Sequence, residues 1–142
     1  PNLDQAISNR SNPTTFPSPT TWQNNTKTGN DPCPVGFRIP TPNDLNQVAS
    51  NNTVTNVGKV GDWSNSATNY SSGKKYGSNL FLPASGFYNS NGLTERGARG
   101  AYWTSEGTTG NLARWFSFDR NTLGGSSTAG MARAHSIRCI AQ

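Results

Sequence analysis

The 142-residue sequence predicts one α+β domain of antiparallel strands with one or two short helices and long loops. Asn, Ser, Thr and Gly are abundant and charged residues make up only 13% of the chain, a composition that favours strands, turns and loops over a helical bundle. Apolar and polar residues alternate repeatedly after Leu80, as they do in antiparallel strands. Although only 31% of the residues are hydrophobic, four Trp, four Tyr and six Phe supply a small aromatic core.

Residues 1–30 are expected to form an N-terminal arm that lies on a domain spanning residues 31–142. The arm is polar and rich in proline, and its only large anchors are Phe16 and Trp22. The natural chain is expected to continue N-terminal to Pro1, where an export signal or a lipid anchor would lie.

A stiff turn is predicted at DPCP, residues 31–34. Proline fixes its own φ and favours extended backbone in the preceding residue, so Pro32 and Pro34 hold Cys33 in one direction. The turn therefore presents a cysteine at a defined position.

A short helix is predicted from Thr41 to about Ser50. Thr41 is a suitable N-cap, Pro42 suits the first helical position, and Asp44 is favourable at the positive end of the helix dipole. Leu45 is expected to face the core. The following residues, 51–79, are predicted to form a long loop region because their aromatic residues stand among turn-forming ones.

Antiparallel strands are predicted in the remainder of the chain. The segments are a strand over 80–88, a turn over 89–92, strands over 101–106 and 113–119, and a terminal strand over 134–142. Between them, GARG at 97–100 is expected to form a turn or bulge, because glycine permits positive φ. Alternation along the next strand predicts that Trp103 is buried.

The two cysteines, Cys33 and Cys139, admit two interpretations. A disulfide between them would close a loop of roughly 100 residues, worth about 4 to 5 kcal/mol in the chain-entropy estimate, and would indicate a protein that works outside the cytoplasm. The alternative is two unrelated buried thiols, which a cytosolic protein would favour. No C-x-x-C pair or second histidine supports a metal site, so none is expected.

The distribution of charged and apolar residues argues against two classes of partner. The net charge is +5, but the basic residues are scattered rather than gathered in one stripe, so nucleic acid is not an expected partner. No stretch approaches the roughly 20 apolar residues of a membrane span, so direct membrane insertion is not expected within this chain.

Enzymatic activity is not expected either. The chain has one histidine, no Gly-x-Ser-x-Gly elbow and no His-Glu-x-x-His motif. Its seven acidic residues could include a glycosidase-type pair, but nothing in the sequence brings two of them together. We therefore predict neither catalytic residues nor a cofactor.

The segment ARWFSFD (113–119) predicts a ligand-binding face. If Phe116 and Phe118 are buried, Trp115, Ser117 and Asp119 point outward together. The alternative is that Trp115 belongs to the core and Phe116 is half-exposed. Neighbouring strand ends and loops extend the face, on which His135 is expected to be a surface residue. The full candidate site is Glu106, Asn111, Trp115, Ser117, Asp119, Arg133 and His135.

Four motifs in order, CPVGFRIPT (33–41), LPASGFY (82–88), GARGAYWTSE (97–106) and SIRCI (136–140), resemble the Fibrobacter succinogenes major paralogous domain. This family is similar to the C-type lectin fold, so the resemblance implies that the cysteine near the helix pairs with the one on the last strand. It also implies a secreted or surface protein of a bacterium. The calcium-and-sugar signature of true C-type lectins is absent, so a calcium-dependent sugar site is not supported.

Some similar domains are variable proteins of diversity-generating retroelements, whose last strands carry the mutated ligand-binding positions. The resemblance therefore implies a surface or secreted domain that binds a protein or glycan ligand through a C-terminal face. The alternative is a structural scaffold or assembly unit of a bacterial surface protein.

Overall fold

The computed structural model describes residues 27–29, 31–108 and 112–142. Most of the predicted arm over 1–30 lies outside the described residues, as does Asn111. The described residues form a mixed domain of mostly antiparallel strands with a single short helix, as the composition predicts. Its elements are β1 (Phe37–Arg38), α1 (Pro42–Ser50), β2 (Val54–Val57), a 3₁₀ turn (Val60–Asp62), β3 (Gly73–Tyr76), β4 (Leu80–Pro83), β5 (Phe87–Asn89), β6 (Gly92–Thr94), β7 (Arg99–Gly107), β8 (Leu112–Asp119), β9 (Gly125–Gly130) and β10 (Ile140–Ala141).

The central sheet consists of β7, β8 and β9 in that order, all antiparallel. Tyr102 pairs with Phe116 and Trp103 pairs with Trp115. Because side chains alternate along a strand and cross-strand partners share a face, Tyr102, Phe116 and Phe118 lie on one face of the sheet. We call this the helix face, and the opposite one, which carries Trp103 and Trp115, the tryptophan face.

The helix face is closed by α1 and by side chains from β3 and β4. The rings of Phe116 and Phe118 are 0% and 1% exposed, so the predicted burial of this face is confirmed. Gly100 lies beneath the Phe118 ring, since a Cβ built on Gly100 would lie 2.1 Å from Phe118 Cζ. The buried residues of this cluster are Leu45, Ala49, Tyr76, Leu82, Ala84, Tyr102, Phe116 and Phe118.

The helix begins as predicted, with Thr41 as its N-cap. Thr41 Oγ1 accepts a hydrogen bond from Asp44 N (3.1 Å), and Asp44 Oδ2 accepts one from Thr41 N (2.8 Å). Arg38 Nη1 donates to the same carboxylate oxygen (2.8 Å). Burial pushes the pKa of Asp44 upward, but the hydrogen bonds from Arg38 and Thr41 outweigh it and lower the pKa below its usual value.

The long loop predicted over 51–79 contains two strands, so this prediction is wrong in part. β2 and β3 pair antiparallel, with Val54 opposite Tyr76. Lys74 is the residue that hides this strand from a hydropathy pattern, because it faces the interior and is 2% exposed. Its ammonium group donates to Asn56 Oδ1 at 2.8 Å and to the carbonyl oxygen of Arg120 at 3.4 Å, which gives the buried charge two hydrogen-bond acceptors.

The single strand predicted over 80–88 is divided into β4 and β5. The chain turns at Gly86, whose φ is +66° and where a Cβ would lie 2.2 Å from the carbonyl oxygen of Thr94. The predicted turn over 89–92 is the β5–β6 hairpin, in which Asn89 pairs with Gly92.

The predicted turn before the tryptophan strand is confirmed at Gly97 and Ala98, whereas Arg99 and Gly100 already belong to β7. Gly97 has a φ of +81° in the turn that precedes β7, and Trp103 is 7% exposed. β9, which completes the sheet, was not predicted, because its sequence GSSTAG lacks large apolar residues.

The terminal strand predicted over 134–142 is much shorter than expected. Only β10 pairs as a strand, with β1. Ala134 and Ser136 make single bridges, to Tyr88 and to Tyr102 respectively. Alternating residues therefore indicated extended backbone here but not a continuous ladder.

Cys33 and Cys139 form a disulfide, with Cα atoms 5.8 Å apart and 106 positions apart in sequence. It joins the turn before β1 to the residue before β10, next to the pairing of those two strands. The pairing implied by the resemblance is therefore confirmed, and it fits a domain that is not cytoplasmic.

Candidate functional site

The tryptophan face is a second core and not an open surface. Trp115 is 5% exposed, so the prediction that it points into solvent is wrong. The alternative is right in placing Trp115 in the core but wrong in leaving Phe116 half-exposed, because both faces of β8 are buried. The cluster on the tryptophan face consists of Phe87, Ala101, Trp103, Ala113, Trp115 and Ala129, with Met131 and Ile137 packed against it.

The cover over this face comes from residues 131–139, which we call the C-terminal segment. Its backbone is irregular but is fixed at several points. Tyr88 N donates to Ala134 O (2.8 Å), Ala134 N donates to Tyr88 O (2.9 Å), and Trp103 N donates to Ser136 O (2.9 Å). The disulfide fixes its last residue, so both faces of the central sheet are covered by well-anchored chain.

His135 is the side chain that anchors this segment to the sheet. Its ring is stacked on Phe87 with centroids 5.4 Å apart, tilted on Trp103 at 4.1 Å, and edge-on to Trp115 at 4.7 Å. Within the described part of the chain neither imidazole nitrogen has a hydrogen-bond partner, and both are buried. The expectation that His135 is a surface residue is therefore wrong: the imidazole is partly buried between three aromatic rings.

The surroundings of His135 keep it neutral. Burial disfavours the charged imidazolium, and the nearby Arg133 cation adds repulsion, so the pKa of His135 is lowered to about 4. At neutral pH the side chain is therefore an uncharged aromatic ring that packs like its neighbours.

Arg133 is the exposed member of the same cluster. Its guanidinium carbon lies 5.2 Å from the centroid of the Phe87 ring, a cation–π contact. No carboxylate forms an ion pair with it among residues 27–29, 31–108 and 112–142. It therefore places a cation without a paired anion on the outer surface of the C-terminal segment.

Ser117 and Asp119 lie on the tryptophan face with Trp115, as strand alternation predicts. Ser117 is only partly buried, opposite Ala101 of β7. Asp119 begins the turn between β8 and β9, where its Oδ1 accepts hydrogen bonds from the backbone of Asn121 (2.8 Å) and of the residue after it.

The carboxylate of Asp119 has a structural task in that turn. Burial raises its pKa, but the hydrogen bonds from the backbone of Thr122 and Asn121 outweigh this effect and lower the pKa below its usual value. An anion that accepts hydrogen bonds from its own turn is largely occupied, so Asp119 is a weak candidate for ligand contact.

Glu106 lies apart from the other candidate residues. It accepts a hydrogen bond from Arg114 Nε at 3.0 Å, and Arg114 shares the helix face with Phe116 by strand alternation. The structure thus groups Trp115, Arg133 and His135, leaves Ser117 on the same face, and places Glu106 on the opposite one.

Sequence reasoning missed the part of Phe87 in this cluster. Its ring contacts both His135 and Trp115, at centroid distances of 5.4 and 5.8 Å, and makes the cation–π contact with Arg133. Phe87 stands 28 positions or more before Trp115, Arg133 and His135, and nothing in its local sequence indicates such a contact. The bridge between Tyr88 and Ala134 and the hydrogen bond from Ser136 Oγ to Ser85 Oγ (3.0 Å) bring the two segments together.

The side chains grouped here are an exposed cation, a partly buried hydroxyl and a rigid aromatic base. Within the described ranges, no three His, Cys, Asp or Glu side chains are grouped so that they could hold a metal ion.

Comparison of the chain with models of protein families, with curated proteins and with solved structures finds no match. In the described residues, no helix has both the length and the apolar character needed to cross a membrane.

Proposed function

We propose that this chain is a C-type lectin-like ligand-binding domain that works at the cell surface or outside the cell, and that it binds a protein or glycan through the outer surface of the C-terminal segment. The observation that carries the proposal is the irregular but anchored backbone of residues 131–139 over a buried sheet. Loops fixed on a rigid scaffold are the usual carriers of binding function.

Anchoring makes the segment suitable for recognition because less conformational entropy is lost when a ligand binds. Ala132, Arg133, Ala134 and Arg138 are exposed, while Met131, His135 and Ile137 face inward. Exposed positions can therefore change without disturbing the core. This division supports the retroelement-like variation that the resemblance implies, with His135 as an anchor and not as a ligand contact.

The charge of the surface indicates which ligands fit. Arg133 and Arg138 are exposed on the segment, neither forms an ion pair within the described chain, and the whole chain carries a net charge of +5. We therefore expect an acidic ligand, such as an acidic peptide or a carboxylate-bearing or sulfated glycan, to associate faster and more tightly than a neutral one.

The test is a binding screen on glycan and peptide arrays, followed by titration of each hit against matched variants. Arg133→Ala removes one of the two exposed cations of the segment. Lys75→Ala is the control, because Lys75 is an exposed cation on β3 outside this surface. The proposal predicts acidic hits whose affinity falls at least tenfold with Arg133→Ala and is unchanged with Lys75→Ala, while both variants keep the melting temperature of the parent.

Three results would contradict the proposal. Hits that bind Arg133→Ala as tightly as the parent would place the ligand elsewhere. An equal loss with Lys75→Ala would indicate non-specific attraction to positive charge. The absence of any saturable ligand, together with substitutions spread evenly over copies of the domain in one genome, would favour the scaffold alternative.

A further inference from the structure

The outer edge of β9 has the features of a site for strand addition. β9 is the last strand of the central sheet, and six residues long. Among the described residues the other outer strands, β1, β2, β4, β5, β6 and β10, are two to four residues long. The edge of β7 that faces away from β8 is already hydrogen-bonded, since Trp103 N donates to Ser136 O and Ser105 N donates to Pro40 O.

Hydrogen-bond alternation identifies which groups of β9 point away from the sheet. Trp103 N–H points away from β8, so its partner Trp115 directs its own amide and carbonyl toward β9. Trp115 pairs with Ser127, which is therefore bonded to β8. The alternate residues, Ser126 and Thr128, direct their backbone N–H and C=O outward.

These outward groups are unused in the described part of the chain. Among the described residues, the one backbone hydrogen bond on that edge runs from Arg133 N to Gly130 O at its end (3.1 Å). The hydroxyl of Ser126 is also buried without a hydrogen-bond partner there. A strand in this state offers a template for another extended chain.

The usual protections against strand addition are missing from β9. Its sequence GSSTAG has no charged residue and no proline. The outer strand β4, in contrast, ends in Pro83, and Tyr88 of β5 already pairs with Ala134. Natural proteins normally protect long edge strands with lysine, proline or bulges, so an unprotected edge indicates a site where another chain can add.

The charges near β9 favour a segment of another protein over a second copy of this chain as the occupant of the edge. Exposed Arg120 precedes β9 and exposed Arg133 follows it, and neither forms an ion pair in the described residues. A second copy added antiparallel would bring the Arg120 end of one chain near the Arg133 end of the other, and like charges oppose that arrangement. A peptide with acidic residues at both ends of an uncharged stretch has the opposite pattern.

We propose that β9 binds an extended segment of a partner protein, an uncharged stretch flanked by acidic residues, which adds to the central sheet beside Ser126 and Thr128. This second interaction goes beyond the proposed function, because its backbone hydrogen bonds are made by the sheet edge, and it shares only Arg133 with the outer surface of the C-terminal segment.

The experiment uses the whole chain and a capped peptide of alternating Thr and Val with two Glu at each end. Amide hydrogen exchange is measured by NMR with and without the peptide. The exchange of the Ser126 and Thr128 amides is expected to slow at least tenfold with this peptide, and not with a control peptide that carries Lys in place of Glu.

Thr128→Pro provides the matched variant. It removes an outward N–H without removing a bond to β8, so the fold is expected to persist while peptide affinity falls at least tenfold. Thr128→Val keeps the N–H and is expected to bind like the parent. If Thr128→Pro does not fold, the exchange measurement on the parent chain still decides.

Two outcomes would overturn the proposal. Unchanged exchange at both amides, or equal slowing by the Lys peptide, would exclude an acid-flanked strand. Protection that rises with protein concentration in the absence of peptide would assign the edge to a second copy. Both outcomes are read from the Ser126 and Thr128 amides, which lie outside the C-terminal segment, so failure here is distinguishable from failure of the proposed function.

Discussion

The two faces of the central sheet are both buried, but they are closed by different kinds of structure. The helix face is covered by α1, β3 and β4, regular elements from the first part of the chain. The tryptophan face is covered by β5 and by an irregular segment that contains His135 and Arg133. The regular elements bury Leu45, Tyr76 and Leu82 almost completely, whereas the irregular segment buries some side chains and exposes others beside them.

The difference shows where this protein can vary its surface. A substitution on the helix face enters a cluster whose rings are 0% and 1% exposed, and it disturbs packing. An exposed residue of the C-terminal segment can change while its neighbours continue to hold the backbone. The tryptophan face therefore combines a stable base with a changeable surface.

Removal of the disulfide is expected to have the largest effect. The double variant Cys33→Ser, Cys139→Ser frees a loop in the unfolded chain and releases one end of the segment that covers the tryptophan face. The loss of unfolding free energy is expected to be about 4 to 5 kcal/mol, measured by urea denaturation. An unchanged midpoint would show that the cover of this face does not depend on the bond.

Truncation of one aromatic residue on each face tests whether the faces are equally buried. Trp115→Ala and Phe118→Ala are each expected to lower the free energy of unfolding by roughly 3 to 5 kcal/mol, because both side chains are 5% exposed or less. Urea denaturation of the two variants in parallel measures this. A loss below about 1 kcal/mol for Trp115→Ala alone would mean that the tryptophan face is open in solution.

Mild acid is expected to weaken the packing on the tryptophan face and not that on the helix face, because only the tryptophan face carries a histidine. The folded-state pKa of His135 is about 4, below the unfolded value near 6.5. The unfolded chain therefore takes up the proton first, so stability is full above pH 6.5, falls between pH 6.5 and 4, and levels off below. The loss is expected to reach roughly 3 kcal/mol.

Denaturation at several pH values measures this slope, and His135→Phe is the control that removes it. Asp44 and Asp119 have lowered pKa values, and their contributions are lost as the pH falls from about 5 through those lowered values, so the slope above pH 5 belongs to His135. A slope that persists in His135→Phe would assign the pH dependence to other groups.

The smallest effect is expected at the ion pair between Glu106 and Arg114. The two side chains are 35% and 39% exposed, so solvent screens the interaction. Glu106→Gln is expected to change the free energy of unfolding by less than about 1 kcal/mol. It is also expected to leave binding to array hits unchanged, because the pair lies on the helix face. Weaker binding in this variant would show that the ligand site also includes residues on the helix face.

Local signals in the sequence predicted the helix, its cap and the main strands. Thr41 and Asp44 interact within one turn, and Phe116 and Phe118 alternate within one strand, so short-range patterns contain that information. Lys74 conceals β3, since a buried lysine requires a partner from another strand, Asn56, that no pattern reveals.

The candidate site was harder to predict from the sequence, because it also depends on contacts between distant parts of the chain. Alternation separated Trp115 from the phenylalanines correctly, but it cannot tell whether a face meets solvent or another part of the chain. The cover depends on the bridge between Tyr88 and Ala134 and on the bond between Cys33 and Cys139. Both contacts join distant positions, which periodicity does not report.

Hydrogen–deuterium exchange of the tryptophan indole N–H groups, followed by NMR, tests the closed tryptophan face most directly. Trp115 Nε1 is buried and has no hydrogen-bond partner in the described residues, so any protection it shows comes from exclusion of water. The indole signals are assigned with Trp103→Phe and Trp115→Phe. The structure predicts that the Trp103 and Trp115 indoles exchange far more slowly than that of a denatured control. Exchange of Trp115 at the denatured rate, in a chain that remains folded, would contradict a closed tryptophan face.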